Sequence, residues 1–435
     1  MRSLLVFVLF GASFLGFATT YSIELAVEKD GTFWGKALVC TSVEPGQKEL
    51  LFRLYPNAFG PFLELTEAWA GGTPLPTDSV EPTVWVVYLP EESPKTLAVE
   101  LRFRGRLPNE LLGYGIFAQT SSTMTLSQFY PILAPWDGEW RVYPAFAFGD
   151  NVVAEVADYT VEAVLPADFL PVGSGAENFV GTKWQISGEN LREFGLVLVR
   201  DYESLCSFWQ GIPLRVFFPP PLRAAAEKAL RVAEEALEIY TEKLGNFPYP
   251  DLDLVIVPLA SAGGVEYPRL ILIAEKYAFD PESELFAEIV AHELAHQWWY
   301  GEVGADQVRE PWLDEALATY TSGLYFETKG KLAEKLAEWQ YRYQRAKRLN
   351  PSASVGSALW EFPSGQGYSG YVYAGGALFL HKVRELLGDP LFFSALRSFR
   401  EKFRWRLAEG AELLALFSAL DPQVSALVRE FFGKD

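Results

Sequence analysis

The sequence predicts a multidomain protein, with an all-β N-terminal domain of packed or saddle-shaped sheets (residues 21–203) followed by an α+β domain (residues 204–435). Three observations support this prediction. The 435 residues exceed one ordinary domain and suit two or three. Short runs of strand-forming residues fill the first half, where long helical periodicity is absent. After residue 281, nearly every segment has helical spacing of its apolar residues.

Four runs carry the β prediction for the first half. They are rich in Val, Leu and aromatic residues and alternate, at least in part, between apolar and polar side chains, which is typical of strands with one buried face. Glycine and proline clusters separate them, as expected for turns. The runs are Tyr21–Val27, Thr83–Leu89, Leu97–Phe103 and Tyr159–Leu165.

The second half predicts a small sheet and then a helical body. A glycine at position 245 marks one helix end, and Asp280–Pro281 marks a helix start, because proline is tolerated in the first turn. The predicted strands are Leu214–Phe218, Leu252–Val257 and Leu270–Ile273, and the predicted helices are Ala224–Leu244, Asp280 to about Tyr300, and Pro311 to about Gly330, with further helices to Phe432.

The N-terminus has the pattern of a signal peptide over residues 1–20. Arg2 supplies a positive charge, Leu4–Phe17 is almost wholly apolar, and Ala18–Thr20 offers small residues for cleavage. The apolar run is too short for a standard membrane span, so an uncleaved anchor is the alternative. This pattern predicts a secreted, periplasmic or cell-envelope protein.

The net charge limits which partners the protein can bind, and the cysteine content limits which disulfides it can form. The 56 acidic and 37 basic side chains give a formal net charge of −19, which disfavours nucleic acid and anionic membranes as partners. The two cysteines, Cys40 and Cys206, leave two arrangements open: one disulfide, or two buried free thiols.

A zinc-binding pattern lies in the helix that is predicted to end near Tyr300. His292 and His296 are four residues apart, so they share one helix face and can reach one metal ion. Two histidines and a glutamate form a known catalytic zinc set that keeps a fourth position for water. Glu315, on the next predicted helix, is the candidate third ligand, and Glu293 is the candidate base that holds the water.

The surroundings of this pattern favour a real metal site. HExxH also occurs by chance on solvated helix faces, but here it uses two of the three histidines in the chain. The motif lies in an apolar helix, where unpaired His and Glu side chains would be costly to bury. A third histidine six residues after His296 would mark the metzincins, and Glu302 at that position excludes them.

The two motifs together resemble the M1 family of zinc aminopeptidases, a gluzincin group. Residues 292–299 (HELAHQWW) and 312–320 (WLDEALATY) carry the resemblance, together with the eighteen-residue spacer between His296 and Glu315. The resemblance implies a thermolysin-like catalytic domain over residues 204–435, one Zn²⁺ per chain and peptide substrates with a free N-terminus. Larger members have a C-terminal helical domain, so we expect a short bacterial-type form without it, in which the cleft is more open or is covered by another subunit.

Residues 263–268 (GGVEYP) look like the exopeptidase motif of that family, with Val and Tyr at two variant positions. The resemblance implies that Glu266 binds the α-amino group of the substrate. Gly263 and Gly264 would let the backbone approach the substrate closely. Read without the resemblance, the segment is a turn after a strand with a solvated glutamate.

A second variant motif supplies a candidate catalytic tyrosine. The family pattern Y-x-K-G matches Tyr373 with glycine in place of lysine, and Tyr371 is the competing position. The resemblance implies that the tyrosine hydrogen-bonds the oxyanion. Asp314 is either a partner that orients a ligand histidine or a helix N-terminal charge. His381 is expected to have a structural role.

The sequence therefore predicts a zinc aminopeptidase in which Glu293 is the base, Tyr373 binds the oxyanion and Glu266 anchors the amino end. Three alternatives remain at this point. The same zinc chemistry suits an endopeptidase or a broader-specificity peptidase. A silent binding protein with a retained zinc site is disfavoured by the intact Glu293. A zinc epoxide hydrolase is known in one branch of the family.

Overall fold

A computed structural model describes residues 19–433 of the chain. The predicted signal peptide therefore lies outside the described residues, except for Thr19 and Thr20, which begin the first strand. Within residues 19–433, no helix is both long and apolar enough to cross a membrane.

The first half is built from strands and irregular segments. Between residues 19 and 199, sixteen strands lie in three sheets, and residues 134–156 form a long connection that contains no strand. The strands are β1 (Thr19–Val27), β2 (Thr32–Ser42), β3 (Glu49–Arg53), β4 (Leu63–Ala70), β5 (Thr73–Leu75), β6 (Thr77–Glu81), β7 (Val84–Tyr88), β8 (Thr96–Arg106), β9 (Phe117–Gln119), β10 (Thr123–Leu126), β11 (Ile132–Leu133), β12 (Ala157–Val164), β13 (Leu170–Gly173), β14 (Ala176–Val180), β15 (Lys183–Leu191) and β16 (Leu196–Val199).

An eight-stranded sheet has the order β14-β15-β12-β1-β2-β8-β4-β5, and two four-stranded sheets have the orders β13-β16-β10-β9 and β11-β3-β7-β6. In the large sheet, β1 and β12 pair in parallel and the other neighbours are antiparallel. Alternating burial along β1 and β8 agrees with the alternation that predicted these strands. The four predicted runs fall in β1, β7, β8 and β12, so the β prediction is confirmed.

The second half contains a five-stranded sheet followed by helices. The sheet order is β17-β18-β19-β21-β20, and the last strand, β20, forms one edge and runs antiparallel to β21. The strands are β17 (Glu203–Trp209), β18 (Ile212–Phe218), β19 (Leu252–Val257), β20 (Gly264–Tyr267), β21 (Leu270–Ala274), β22 (Val303–Ala305) and β23 (Arg406–Ala408). The helices are α1 (Arg223–Leu244), α2 (Glu275–Ala278), α3 (Glu284–Ala295), α4 (Trp312–Thr328), α5 (Leu332–Leu349), α6 (Gly365–Ser369), α7 (Gly376–Phe403), α8 (Gly410–Leu420) and α9 (Val424–Phe432).

Helix α3 is shorter than the sequence predicts. It begins at Glu284 because the side chain of Ser283 caps it by accepting the Phe286 N–H at 3.2 Å. Its regular part ends at Ala295, and the following residues tighten into i to i+3 hydrogen bonds that lead to Tyr300, which has a φ of 124°. His296 therefore lies at the C-terminal cap rather than inside the helix. Helices α1 and α4 agree with their predicted bounds.

Both cysteines are free thiols. Cys40 is half-buried in β2, whereas Cys206 is exposed on the edge strand β17. Of the two arrangements that the sequence left open, the disulfide is absent, and the expectation that both thiols are buried is wrong for Cys206. An edge strand has one sheet neighbour, so its side chains are less covered than those of a central strand.

Arg192 joins the two halves of the chain. It follows β15, and its buried guanidinium donates to the Tyr300 carbonyl at 2.7 Å and to the Ala154 carbonyl at 2.8 Å. A Cβ at Gly304 would come within 2.2 Å of the Arg192 guanidinium carbon, so the absence of a side chain there lets the arginine reach these carbonyls. One apolar core continues through both halves around this contact.

A buried ion pair fastens α7 to the segment after α3. Glu302 is fully buried and pairs with Arg400, which also donates to the Leu244 carbonyl at 2.9 Å and to the Asn246 carbonyl at 2.7 Å. The arginine thus ties together the end of α1, the segment after α3 and the C-terminal part of α7.

Replacing Arg400 with methionine is expected to lower the unfolding free energy by about 3 kcal/mol, because Glu302 would stay buried with only the exposed Arg404 as an ion-pair partner. Denaturant unfolding followed by circular dichroism measures this change. Lys402→Met is the matched control, since Lys402 is exposed and pairs with Glu412 on the surface; its effect is expected to stay below about 1 kcal/mol. Equal effects of the two substitutions would contradict the assignment.

Candidate metal centre and substrate cleft

His292, His296 and Glu315 converge on one point. The His292 Nε2 lies 3.1 Å from the His296 Nε2 and 3.1 Å from the Glu315 Oε2, and the third edge, from the His296 Nε2 to the Glu315 Oε2, is 3.5 Å. Ligand atoms at 2.0–2.1 Å around a tetrahedral zinc ion are about 3.3 Å from one another. The three side chains therefore fit a zinc ion, and the predicted ligand set is brought together as the sequence indicated.

Two neighbouring helices supply these ligands. His292 is in the last turn of α3 and His296 caps it, while Glu315 is in the first turn of α4, which packs against α3. His296 and Glu315 are buried and His292 is partly exposed toward the cleft. Burial opposes the charged form of Glu315, but hydrogen bonds from the two imidazoles hold its pKa well below the usual range.

A second layer of side chains orients His296. Its Nδ1 donates to the Trp299 carbonyl oxygen at 2.9 Å and lies 2.7 Å from the Asp314 Oδ1, so the Nε2 lone pair faces the cluster. Asp314 is itself held by Gln307, whose amide nitrogen donates to the Asp314 Oδ2 at 2.6 Å. Of the two roles considered for Asp314, the geometry agrees with orienting a ligand histidine.

Glu293 and Glu266 face each other across the cleft. Glu266 is on the edge strand β20, and single ligand atoms of Glu266, Glu293 and His296 all lie within 4.8 Å of one another. Burial raises the pKa of each of the two carboxyl groups to about 8. A Cβ at Gly264 would lie 2.4 Å from the Glu293 Cγ, so this glycine creates the space that the Glu293 side chain occupies.

Gly263 has a milder steric role. A Cβ there would lie 3.2 Å from the Ile289 side chain on α3, which is close but not prohibitive. The two glycines therefore let β20 approach α3 closely enough for Glu266 to face Glu293.

The structure distinguishes the two candidate tyrosines. Residues Gly370–Gly375 form a π-helical turn between α6 and α7. Within it, the Tyr373 hydroxyl donates to the Glu315 Oε1 and the ring stacks on His292 at a centroid distance of 5.8 Å. The Tyr371 hydroxyl instead donates to the Asn350 carbonyl at 2.8 Å, away from the cluster. Single π-helical turns occur often at functional sites, and here the wider turn separates the directions of the two tyrosines.

His381 lies outside the cluster, as expected. It is on α7, its Nε2 is 3.7 Å from the Glu385 carboxylate, and its ring packs near Tyr320. Burial lowers its pKa.

Three residues of the site were not found from the sequence. Asp150 and Tyr114 reach the cleft from irregular segments of the N-terminal half, and Gln307 orients Asp314 from the loop before α4. Burial and the neighbouring Glu266 raise the pKa of Asp150. Asp150 and Tyr114 have no spacing signal, since only the tertiary fold brings them to the helices. For Gln307, its position in the sequence shortly before Glu315 was the available indication that it lies near the site.

The cleft has a volume of about 570 Å³ and contains the three ligands, Glu293, Glu266 and Tyr373. A smaller cavity of about 90 Å³, which we call the side cavity, shares part of its lining with the cleft. Both cavities are lined by Tyr114, Asp150 and Glu266. The side cavity is defined by these three residues together with Glu193, Tyr300 and Gln307.

Glu193 is a buried carboxylate in the wall of the side cavity. It accepts hydrogen bonds from the Tyr300 hydroxyl and, at 3.2 Å, from the Gln128 amide. Burial raises its pKa to about 7, because these two neutral donors and the nearby Arg192 do not offset the desolvation of the charge.

Comparisons with known proteins agree with this geometry. Residues 228–432 match the model of the Peptidase family M1 domain. Aminopeptidase N of Streptomyces lividans is 23% identical over 373 residues, covering 78% of this chain and 43% of the relative. Aminopeptidase 2 of Candida albicans is 22% identical over 401 residues, covering 86% and 42%. The chain thus spans less than half the length of these curated relatives.

Solved structures share the fold along almost the whole chain. An M1 zinc metallopeptidase from Deinococcus radiodurans superposes with a TM-score of 0.70 at 19% identity, covering 95% of this chain and 93% of that one. The all-β domain followed by the helical and β domain is therefore the known arrangement of that protein, and the predicted fold class is confirmed.

Glu193 is expected to make stability depend on pH. A carboxyl group with a raised pKa in the folded state stabilises the fold fully below its unfolded pKa, near 4.5, and loses that contribution as the pH rises through about 7. The difference in unfolding free energy between wild type and Glu193→Gln should therefore fall by about 3 kcal/mol between pH 5 and pH 8, with the wild type losing stability.

Chemical denaturation at several pH values measures this difference. Glu162→Gln, at an exposed position on β12, serves as the control and should change the unfolding free energy by less than about 1 kcal/mol. A constant difference for Glu193→Gln would show that this carboxyl group titrates normally.

Proposed function

We propose that this chain, whose residues 228–432 match the model of the Peptidase family M1 domain, is a zinc-dependent aminopeptidase that removes the N-terminal residue of peptides. The observation that carries the proposal is the position of Glu266 opposite Glu293 and His296. Peptide hydrolysis at a zinc site needs only the metal ligands and the base, so Glu266 is not required for the hydrolysis itself. A second carboxylate, held at a fixed distance from the base, is what a free amino group requires.

The distances suit removal of one residue. The nitrogen and the carbonyl carbon of a single amino acid are about 2.5 Å apart. An ammonium group that pairs with Glu266 therefore leaves its own carbonyl, and not a later one, beside Glu293 and the ligand cluster, since these groups lie within 4.8 Å. Binding at the amino end thus positions the first peptide bond.

His292, His296 and Glu315 would hold the zinc ion, which when bound supplies a Lewis acid for the scissile carbonyl and lowers the pKa of water. Glu293 accepts the proton of the attacking water and passes it to the leaving amine. The Tyr373 hydroxyl, which is within reach of the cluster, donates a hydrogen bond to the oxyanion. Asp314 keeps the His296 imidazole in one orientation.

The substrates and the location are parts of the same proposal. The relatives are described as aminopeptidases, and a variant of the Deinococcus radiodurans enzyme has been crystallised with the peptide Tyr-Ser-Ala. Peptides with a free N-terminus are therefore the substrate class. The apolar run Leu4–Phe17 supports export to the cell envelope or beyond.

A comparison of free and blocked N-termini tests where the peptide is cut. Wild type should hydrolyse leucyl arylamide and should not hydrolyse its N-acetyl derivative. Glu266→Gln should lower kcat/KM for the free substrate by about a hundredfold, because a charged hydrogen bond to the amine is lost.

Glu282→Gln, at an exposed site, is the matched control and should leave the rate unchanged. Efficient cleavage of N-acetylated peptides would instead indicate an endopeptidase with the same chemical centre.

Glu293→Gln tests the base separately from the metal. We expect kcat to fall by about 10²–10⁴-fold, while elemental analysis still finds one zinc per chain, because the three ligands are intact. A chelator should abolish the wild-type activity and added zinc should restore it. Retained turnover in the variant would remove Glu293 from the mechanism.

A further inference from the structure

Among the described residues, the side cavity is lined by carboxyl groups but by no cationic side chain. Asp150, Glu193 and Glu266 contribute three carboxyl groups, and no Lys, Arg or His is present among the described residues that line it. In the proposed function, Glu266 binds the substrate amine and Asp150 contacts the ligand Glu315, which leaves the Glu193 carboxyl group with hydrogen bonds from neutral donors only.

Gln307 independently indicates a missing hydrogen-bond donor. Its side chain is buried and lines the side cavity, and its amide nitrogen is committed to Asp314. The Oε1 atom has no hydrogen-bond partner among residues 19–433. A buried acceptor without a donor is costly, so a ligand that brings N–H groups would be favoured at this wall of the cavity.

Arg192 does not neutralise Glu193. Although Arg192 is the adjacent residue, its guanidinium is directed at the backbone carbonyls of Tyr300, Ala154 and Arg406. The Glu193 carboxylate receives hydrogen bonds from neutral donors only, and its raised pKa reflects this incomplete compensation.

The remaining walls suit a long side chain with a charged end. Aromatic rings of Tyr55, Phe59, Tyr114 and Phe148 line the cavity. Such rings pack against methylene groups and attract a cation to their faces. A planar guanidinium offers five N–H donors, which matches a cavity with several acceptors.

We propose that the side cavity receives the first side chain of the substrate and selects a cationic one, arginine in particular, through Glu193, Asp150 and the Gln307 Oε1. This inference rests on the proposed function, because Glu266 must hold the substrate amine for the adjoining side chain to enter the side cavity. A peptide that begins with arginine would then place one cation at Glu266 and a second at Glu193.

Arginyl and citrullyl arylamides test the charge at nearly constant shape, since citrulline replaces the guanidinium with a neutral urea. With the full-length zinc enzyme at pH 8, kcat/KM is expected to be at least about tenfold higher for the arginyl substrate. Leucyl arylamide is the reference for basal activity.

Glu193→Gln should reduce the ratio of arginyl to citrullyl kcat/KM to about one. Glu162→Gln, on the exposed face of β12, is the matched control and should keep the wild-type ratio. If Glu193→Gln does not fold, Asp150→Asn should lower the same ratio.

Equal wild-type rates for arginyl and citrullyl substrates would overturn the inference, as would an unchanged ratio in a folded Glu193→Gln variant. Preference for leucyl or aromatic substrates would show that the rings, rather than the carboxylates, select the side chain. Failure of the proposed function looks different, because no aminoacyl arylamide, leucyl included, would then be hydrolysed.

Discussion

Electrostatic repulsion among buried carboxylates determines which partners each acidic side chain of this cleft must have. Asp150, Glu266, Glu293, Asp314 and Glu315 come together around the imidazoles of His292 and His296. Burying so many like charges is costly unless cations or hydrogen bonds compensate them. His296 and Gln307 hold Asp314, and the two histidines hold Glu315. Glu266 and Glu293 lack comparable compensation, and this makes them suitable for an ammonium group and a transferred proton, respectively.

Close packing keeps these groups at their distances. The edge strand β20 approaches α3 because Gly264 leaves room for Glu293, and α4 lies beside α3, so Glu315 meets both histidines. On the other side, the irregular segment 134–156 of the N-terminal half brings Asp150 to the same cleft. The site thus combines regular elements, which set the chemistry, with an irregular segment that shapes the space for the substrate.

The sequence predicted the local part of the site well. The spacing of His292, His296 and Glu315 follows from helix geometry, which is independent of the remainder of the fold, and the structure places all three as expected. The orientation of Tyr373 depends on a π-helical turn, which has no simple periodic signal. Asp150, Glu193 and Tyr114 reach the cavities through contacts between distant segments. The end of α3 was also misplaced, since the turn after His296 depends on tertiary contacts of Trp299 and Tyr300.

The bridge formed by Arg192 has a thermodynamic consequence. Its guanidinium spans Ala154 in the N-terminal half and Tyr300 in the catalytic half, and one apolar core continues across both. If either half unfolded alone, Arg192 would lose hydrogen bonds to backbone carbonyls of that half, and part of the shared core would be exposed to water. We therefore expect the two halves to unfold as one cooperative unit, and a ligand that binds in the cleft between them to stabilise both by mass action.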